Sequence, residues 1–241
     1  MVNVVCDAVV LAAGNGDRFV NGTRHSKLLE PVLGVPLIVR TLDSALAAGI
    51  TRVHVVLGYE AERVRTAIEL GAPRGLVKQF HVNPDWHREN GLSVLAAREA
   101  FAGSRFALLM GDHIFDPTAL RALLASEART GESLLGIDRR PAAREITDEA
   151  TRVRLDGHRV VAIGKQLTPY DALDTGMFVC APLVFDALSA ASAAGDTTLS
   201  AGIRRLAAAH LVGAVDIGDA LWRDIDTVAD LVAAEAILSR S

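Results

Sequence analysis

Cysteine is scarce in this chain. Cys6 and Cys180 are the only two in 241 residues and form no CxxC pair. Nothing therefore suggests a disulfide framework or a zinc site, and a reducing, cytoplasmic setting is expected. Half the residues are apolar, yet no apolar run approaches the ~18 residues that span a membrane. The first residues lack a basic stretch followed by an apolar one, so no signal peptide is expected. The net charge is −4 and no long basic stripe occurs, which argues against nucleic acid as a partner. Lysine is rarer still. Only Lys27, Lys78 and Lys165 stand among 25 basic residues. In a chain that uses arginine so freely, a retained lysine marks a place where a compact point charge is wanted, with chance as the competing explanation.

What is present is an alternation of strand and helix patterns. Asp7–Ala13 is apolar, rich in valine and followed by glycines. Pro36 opens a helical pattern that stops at Gly49, the usual proline-first, glycine-last asymmetry. Strands are predicted at Arg52–Gly58, Val77–Val82 and Arg105–Met110, and helices at Glu60–Leu70, Asn90–Phe101 and after the Asp116-Pro117 cap. Alternation of this kind predicts a parallel sheet covered on both faces. Beyond residue 133 the pattern changes. Ser133–Asp138, Thr151–Leu155, His158–Gly164 and Leu173–Cys180 read as strands, with Asp156-Gly157 as a hairpin turn. Helices are predicted at Pro182–Ala193 and Leu199–Ala209, then a strand at Leu211–Ile217 and a last helix from Thr227, where Thr227-x-x-Asp230 resembles a capping box. No linker or repeat is visible. The expectation is one α/β domain over residues 1–241, a doubly wound, mostly parallel sheet, with a first half (7–130) and a second half (131–241) that adds a β-hairpin.

Leu11-Ala12-Ala13-Gly14-Asn15-Gly16-Asp17-Arg18 is a glycine loop between a strand and a helix, a place where free backbone N–H groups commonly hold phosphate. Its spacing excludes a dinucleotide site, because Phe19 occupies the third glycine position of GxGxxG. A P-loop needs GxxxxGK[ST], and no such stretch exists. Arg18 and Lys27 place two cations in or just after the loop, as a triphosphate requires; a plain tight turn is the simpler alternative. Asp112 ends the apolar strand FALLMG, where α/β sheets gather ligands, and reads as a metal ligand or a turn cap. Asp224 and Asp226 share one face of an extended segment. Either can join Asp112 on Mg²⁺, which takes one or two carboxylates. Asp226 could instead cap the last helix, and Arg223 or a backbone amide could satisfy Asp224. The seven histidines show no HExxH or paired metal spacing, and His54 and His210 read as structural.

Together these residues resemble a family. LAAGNGDRF followed by SKLLEPVLGVPLI is similar to the signature of sugar-1-phosphate-type nucleotidyltransferases. Asn90-Gly91-Leu92-Ser93, Met110-Gly111-Asp112-His113, ATRVRLDGHRVVAIGK, Asp174-Thr175-Gly176-Met177-Phe178 and LWRDIDT narrow the resemblance to the CTP:inositol-1-phosphate cytidylyltransferases, over residues 7 to 238. The chain departs from that pattern at Ser26-Lys27-Leu28, where the family has Pro-Lys-Pro, and in a loop lengthened by Val20–His25. The resemblance implies a Rossmann-like nucleotidyltransferase fold. It further implies CTP and a small phosphorylated acceptor as partners and Mg²⁺ as cofactor. In many members of the family this domain is fused to a membrane phosphotransferase; this sequence shows no such segment, and a stand-alone form is expected.

It also implies roles. The loop from Leu11 to Asp17 and Arg18 hold the triphosphate, Lys27 neutralises charge on the departing pyrophosphate, and Asp112 with Asp226 holds Mg²⁺. Asn90, Gly91 and Ser93 read cytosine and ribose, Lys165 meets the acceptor phosphate, Asp174 an acceptor hydroxyl, and His113 the acceptor or a neighbouring group. The alternatives are a phosphonate cytidylyltransferase, a sugar-1-phosphate enzyme using another nucleotide, and a non-catalytic nucleotide-binding module. A homodimer contact through an exposed helix face is open, and no residue marks which face.

Overall fold

The computed structural model describes residues 5–16, 19, 25–101, 103–140 and 150–239. Asp17 and Arg18, and most of the lengthened loop before Lys27, lie outside the described residues.

The centre is β1 (Asp7–Ala12), whose side chains are buried almost throughout because helices cover both faces of its sheet. It runs parallel to β4 (Arg52–Leu57) on one side and β6 (Phe106–Met110) on the other, and β5 (Val77–Val82) extends the sheet parallel to β4. Successive side chains of β1 divide between two cores, as the period-2 geometry of a strand requires. Val10 joins Ile38, Leu42, Val64 and Leu120 on one face. Val9 joins Val94, Phe106, Phe185 and Ile203 on the other. The first face is covered by α1 (Leu37–Ala48), α2 (Ala61–Gly71) and α4 (Pro117–Ala125), and the second by α3 (Gly91–Leu95), α5 (Leu183–Ala193) and α6 (Leu199–Ala208).

Beyond β6 the sheet is mixed. β11 (Ala172–Cys180) enters antiparallel to β6 and to β8 (Ser133–Asp138). β12 (Val212–Asp216) is parallel to β8, and the hairpin of β9 (Arg152–Asp156) and β10 (Arg159–Gly164) follows. The hairpin loop is Gly157-His158, with Gly157 at φ +60°, the conformation a tight primed turn needs. β9 also pairs with β11, so the last five strands close on one another at the far end of the nine-stranded sheet.

Local signals were met at three helix ends read in the sequence. Gly49 takes the left-handed conformation after α1. Asp116 accepts a bond from the Thr118 N–H at the start of α4. Thr227 and Asp230 form the reciprocal capping box of α7 (Val228–Leu238). The helix expected over Asn90–Phe101 is broken instead: α3 stops at Leu95 and a 3₁₀ turn spans Arg98–Phe101. That tighter turn delivers Phe101 into the core, 4.3 Å from the Phe106 ring and 4.7 Å from His54. Phe19, the residue that breaks the dinucleotide pattern, is buried in a small cluster with Leu37, Ile114 and Ile225. Two short ribbons escaped the sequence because two- and three-residue strands carry no readable period. They are β2 (Pro31–Val32) with β3 (Val35–Pro36), and β7 (His113–Phe115) with β13 (Trp222–Asp224).

The β7–β13 ribbon is tied to the main sheet by Trp222, whose Nε1–H donates to the fully buried Asp138 carboxylate at 3.0 Å. Trp222→Phe keeps the ring and removes this donor. It is expected to cost about 1–3 kcal/mol in urea unfolding, the penalty for a buried acceptor that loses a partner.

His54 and His81 lie 3.0 Å apart, Nδ1 to Nε2. Burial lowers the pKa of both, and for His54 the neighbouring His81 adds to the effect. The folded chain therefore binds fewer protons than the unfolded one as pH falls through the ordinary histidine value of 6.5. The pair's contribution is present above that pH and is lost below it. The melting temperature is expected to drop between pH 7 and pH 5, and His81→Gln to shrink that drop, read by thermal melts across the range.

Candidate active site

The candidate site lies at the carboxyl end of β1, where an α/β sheet collects ligands. A cavity of about 440 Å³ opens there. Leu11, Ala12, Gly14, Asn15, Gly16, Leu28 and Glu89 line it together with the charged end made by Lys27, Asp112 and Asp226. Ala13 is buried behind the loop, its carbonyl accepting the Tyr59 N–H.

Two glycines make this arrangement sterically possible. Gly16 stands at φ +65°, and a Cβ there would meet the Lys27 stem at 3.0 Å. A Cβ on Gly111 would lie 2.7 Å from the Leu11 carbonyl, so glycine lets the turn carrying Asp112 settle against β1. The hydroxyl of buried Thr41 lies 3.0 and 2.9 Å from the carbonyls of Gly111 and His113 and fixes the same turn from below.

Lys27 heads a 3₁₀ turn over Lys27–Leu29, capped by the Ser26 hydroxyl. The Ser26 N–H donates to Glu60 Oε2 at 2.7 Å. Proline has no N–H to give, so the serine found where the resembled family has proline adds a tether from this turn to the start of α2. Lys27 itself is buried, 7% exposed. Its Nζ lies 2.6 Å from Asp226 Oδ1 and 2.8 Å from Asp112 Oδ2. Burial alone would lower its pKa; the carboxylates of Asp112, Asp224 and Asp226 outweigh that and raise it well above the usual lysine value. Asp112 is held down to about 2: burial pushes it up, and Lys27 and His113 pull it further down.

β13 pairs Asp224 directly opposite His113. The His113 Nδ1 lies 3.1 Å from the Thr175 carbonyl. A carbonyl only accepts, so Nδ1 carries the proton and Nε2 of a neutral ring keeps a lone pair. That Nε2 lies 3.6 Å from Asp224 and 3.9 Å from Asp112. β11 makes the approach possible. Its register slips between Asp174 and Phe178, and Gly176 within the slip stands at φ +73°. A Cβ there would sit 2.4 Å from the imidazole. Bulges often re-aim side chains at sites in this way.

One donor atom each from Asp112, His113 and Asp224 lie within 4.8 Å of one another. Oδ1 of Asp224 is buried with no hydrogen-bond partner among the described residues, and burial together with Asp112 raises its pKa. Three carboxylates face one ammonium, an excess of negative charge that a divalent cation would offset. These residues can hold one. Of the expected ligands Asp112, Asp224 and Asp226, Asp112 and Asp226 share the Lys27 ammonium, while Asp224 clusters with Asp112 and His113.

The remaining expected residues fall into two groups. Asn90, Gly91 and Ser93 make bonds inside the protein. The Asn90 side-chain oxygen accepts from the Leu199 N–H, the Gly91 N–H donates to the Thr197 carbonyl, and buried Ser93 accepts from Asn83. Lys165 and Asp174 belong to the far strands. Gly164 and Leu173 flank Arg152 in one row across β10, β9 and β11, so Lys165 and Asp174 each lie one residue past that row. Burial raises the pKa of Asp174 to about 6, against the Gly176 N–H it accepts and nearby His113. Glu89, which lines the cavity, was missed. Its only sequence signal is its place before Asn90-Gly91.

Residues 8–214 match the MobA-like NTP transferase domain. The chain belongs to this family. A "Bifunctional IPC transferase and DIPP synthase" of Rubrobacter xylanophilus is 39% identical over 234 residues, 96% of this chain and 51% of that protein. A protein of the same name from Thermococcus kodakarensis is 32% identical over 97% of this chain and 51% of its own length. The chain thus spans about half the length of these relatives. Among solved structures, the inositol-1-phosphate CTP transferase of T. maritima superposes with a TM-score of 0.85 at 25% identity, covering 98% of this chain and 96% of that one. The nucleotidyltransferase resemblance read in the sequence is borne out. No helix among the described residues is long and apolar enough to cross a membrane.

Lys27→Met leaves Asp112 and Asp226 facing each other without their ammonium. Breaking a buried pair in this way is expected to cost about 3–5 kcal/mol in chelator-treated protein, followed by urea unfolding.

Proposed function

We propose that this nucleotidyltransferase moves CMP from CTP to a small phosphorylated acceptor, inositol 1-phosphate, and releases pyrophosphate. The observation that carries the reading is the charged end of the cavity, where Lys27 stands beneath the glycine loop between Asp112 and Asp226. The name of the T. maritima structure, an inositol-1-phosphate CTP transferase, supports the choice of CTP and inositol 1-phosphate. Residues 7–130 form the nucleotide half and 131–241 the acceptor half of one domain.

The attacking group is an oxygen of the acceptor phosphate. Its second pKa is near 6, so at neutral pH it is largely dianionic and needs no general base. It adds in line to the α-phosphorus as the bond to the β-phosphate oxygen breaks. The protein contributes position and charge. Backbone N–H groups of the loop from Leu11 to Gly16, with Asp17 and Arg18, cradle the triphosphate. Lys27, kept protonated by its carboxylate neighbours, neutralises charge on the departing pyrophosphate. Asp112, with Asp224 and Asp226, would hold Mg²⁺, which when bound offsets negative charge at the α-phosphate. Lys165 meets the acceptor phosphate. Asp174 accepts from an acceptor hydroxyl, with His113 beside it. The setting is cytoplasmic, in keeping with free thiols at Cys6 and Cys180.

The test is pyrophosphate release with CTP, UTP, ATP and GTP against inositol 1-phosphate, a sugar 1-phosphate and a phosphonate. CTP with inositol 1-phosphate is expected to be fastest. Release from none of the pairs would favour a binding module, and a phosphonate preference would move the acceptor assignment. Asp112→Ala is expected to lower turnover at least a hundredfold with an unchanged circular dichroism spectrum, and near-normal turnover would remove Asp112 from the mechanism.

A further inference from the structure

Glu89 is the one charged residue lining this cavity with no part in the mechanism above. It is exposed, and its side chain makes no hydrogen bond or ion pair among the described residues. Its backbone is held firmly. The Glu89 carbonyl accepts the Leu92 N–H, the Gly91 N–H donates to the Thr197 carbonyl, and Asn90 accepts from the Leu199 N–H. A Cβ on Gly91 would lie 2.5 Å from the Thr197 carbonyl, so the segment is pressed against the start of α6. The three residues expected to touch the nucleotide thus anchor the one before them.

The cavity spans the end of the sheet. The turn of Lys27 packs on α1 and α2, on one face, and α3, which follows Glu89, packs on α5 and α6, on the other. A nucleoside triphosphate is anionic at one end and neutral at the other. An ionised carboxylate repels phosphate and offers only acceptors, so Glu89 suits the neutral end. We infer that Glu89 selects the base by accepting a hydrogen bond from the exocyclic amine of cytosine. Uracil presents a carbonyl oxygen at the same position, and two acceptors facing each other without a proton disfavour UTP. A charged acceptor strengthens the correct bond and worsens the wrong one. This inference rests on the proposed cytidylyl transfer and adds the source of its base preference.

Equilibrium binding of CTP and UTP, alongside kcat/KM for each, tests it in wild type, Glu89→Gln and Glu89→Ala. Glutamine keeps an acceptor and adds a donor, so Glu89→Gln is expected to reduce the CTP-over-UTP preference at least tenfold, chiefly through KM. Glu89→Ala is expected to weaken CTP while leaving UTP the same or tighter. An unchanged preference in both variants would overturn the inference. So would an equal loss for both nucleotides, which places Glu89 against the ribose. Binding is read without any acceptor, so a wrong acceptor leaves the inference standing or falling by its own data. A wild type that binds neither nucleotide would take down both readings.

Discussion

The ammonium of Lys27 between Asp112 and Asp226 is the interaction on which the site depends. It joins the turn after the glycine loop, the turn after β6 and the segment after β13, positions separated by 199 residues along the chain at the extreme. A half-buried pair of carboxylates would repel and disperse without it. With it, three segments meet at the carboxyl end of β1 and enclose a cavity whose charged end has a defined sign pattern. Much of the surrounding detail serves this contact. Gly16 lets the lysine stem pass under the loop, Gly111 lets Asp112 approach β1, and Ser26 ties the lysine's turn to Glu60.

A second convergence sits beside the first. Because β7 and β13 pair, Asp224 faces His113, and the slip in β11 leaves room for the imidazole over Gly176. The Thr175 carbonyl then decides which ring nitrogen carries the proton. The result is a cluster of oxygen and nitrogen donors next to Lys27, with more negative charge than one ammonium offsets. Asp112 belongs to both groups. It can therefore feel a bound cation and the lysine at once, an arrangement suited to a reaction in which charge moves from the α-phosphate to the leaving pyrophosphate.

The architecture divides the labour between two halves of one sheet. The parallel strands β5, β4, β1 and β6 end together and supply the loop and Asp112. The antiparallel β11 and the strands beyond it form a partly closed wall whose end carries Asp174 and the turn with Lys165. The long β11 belongs to both, since it pairs with β6 and with β9. Within this frame the Asn90-Gly91 segment is anchored on the start of α6, next to the cavity residue Glu89.

The sequence by itself determined every long element and the family. Valine-rich runs, helical spacing, Pro36 before α1, Gly49 after it and the Thr227–Asp230 box are local signals, and local energetics decides them. It also named Lys27, Asp112, Asp224 and Asp226 as candidates, because rare lysines and acids at strand ends are visible in one dimension, and His113 through the family resemblance. Tertiary structure decided which of them meet. That Asp226 goes to Lys27 while Asp224 goes to His113 follows from the pairing of two three-residue strands, too short to carry a period. The break after α3 was decided by Phe101 reaching Phe106 and His54, a packing contact that outweighs the helical spacing. Glu89 stayed hidden for the same reason: nothing local distinguishes a glutamate that lines a cavity from one on an open surface, and only the fold places it in the cavity that Lys27 also lines.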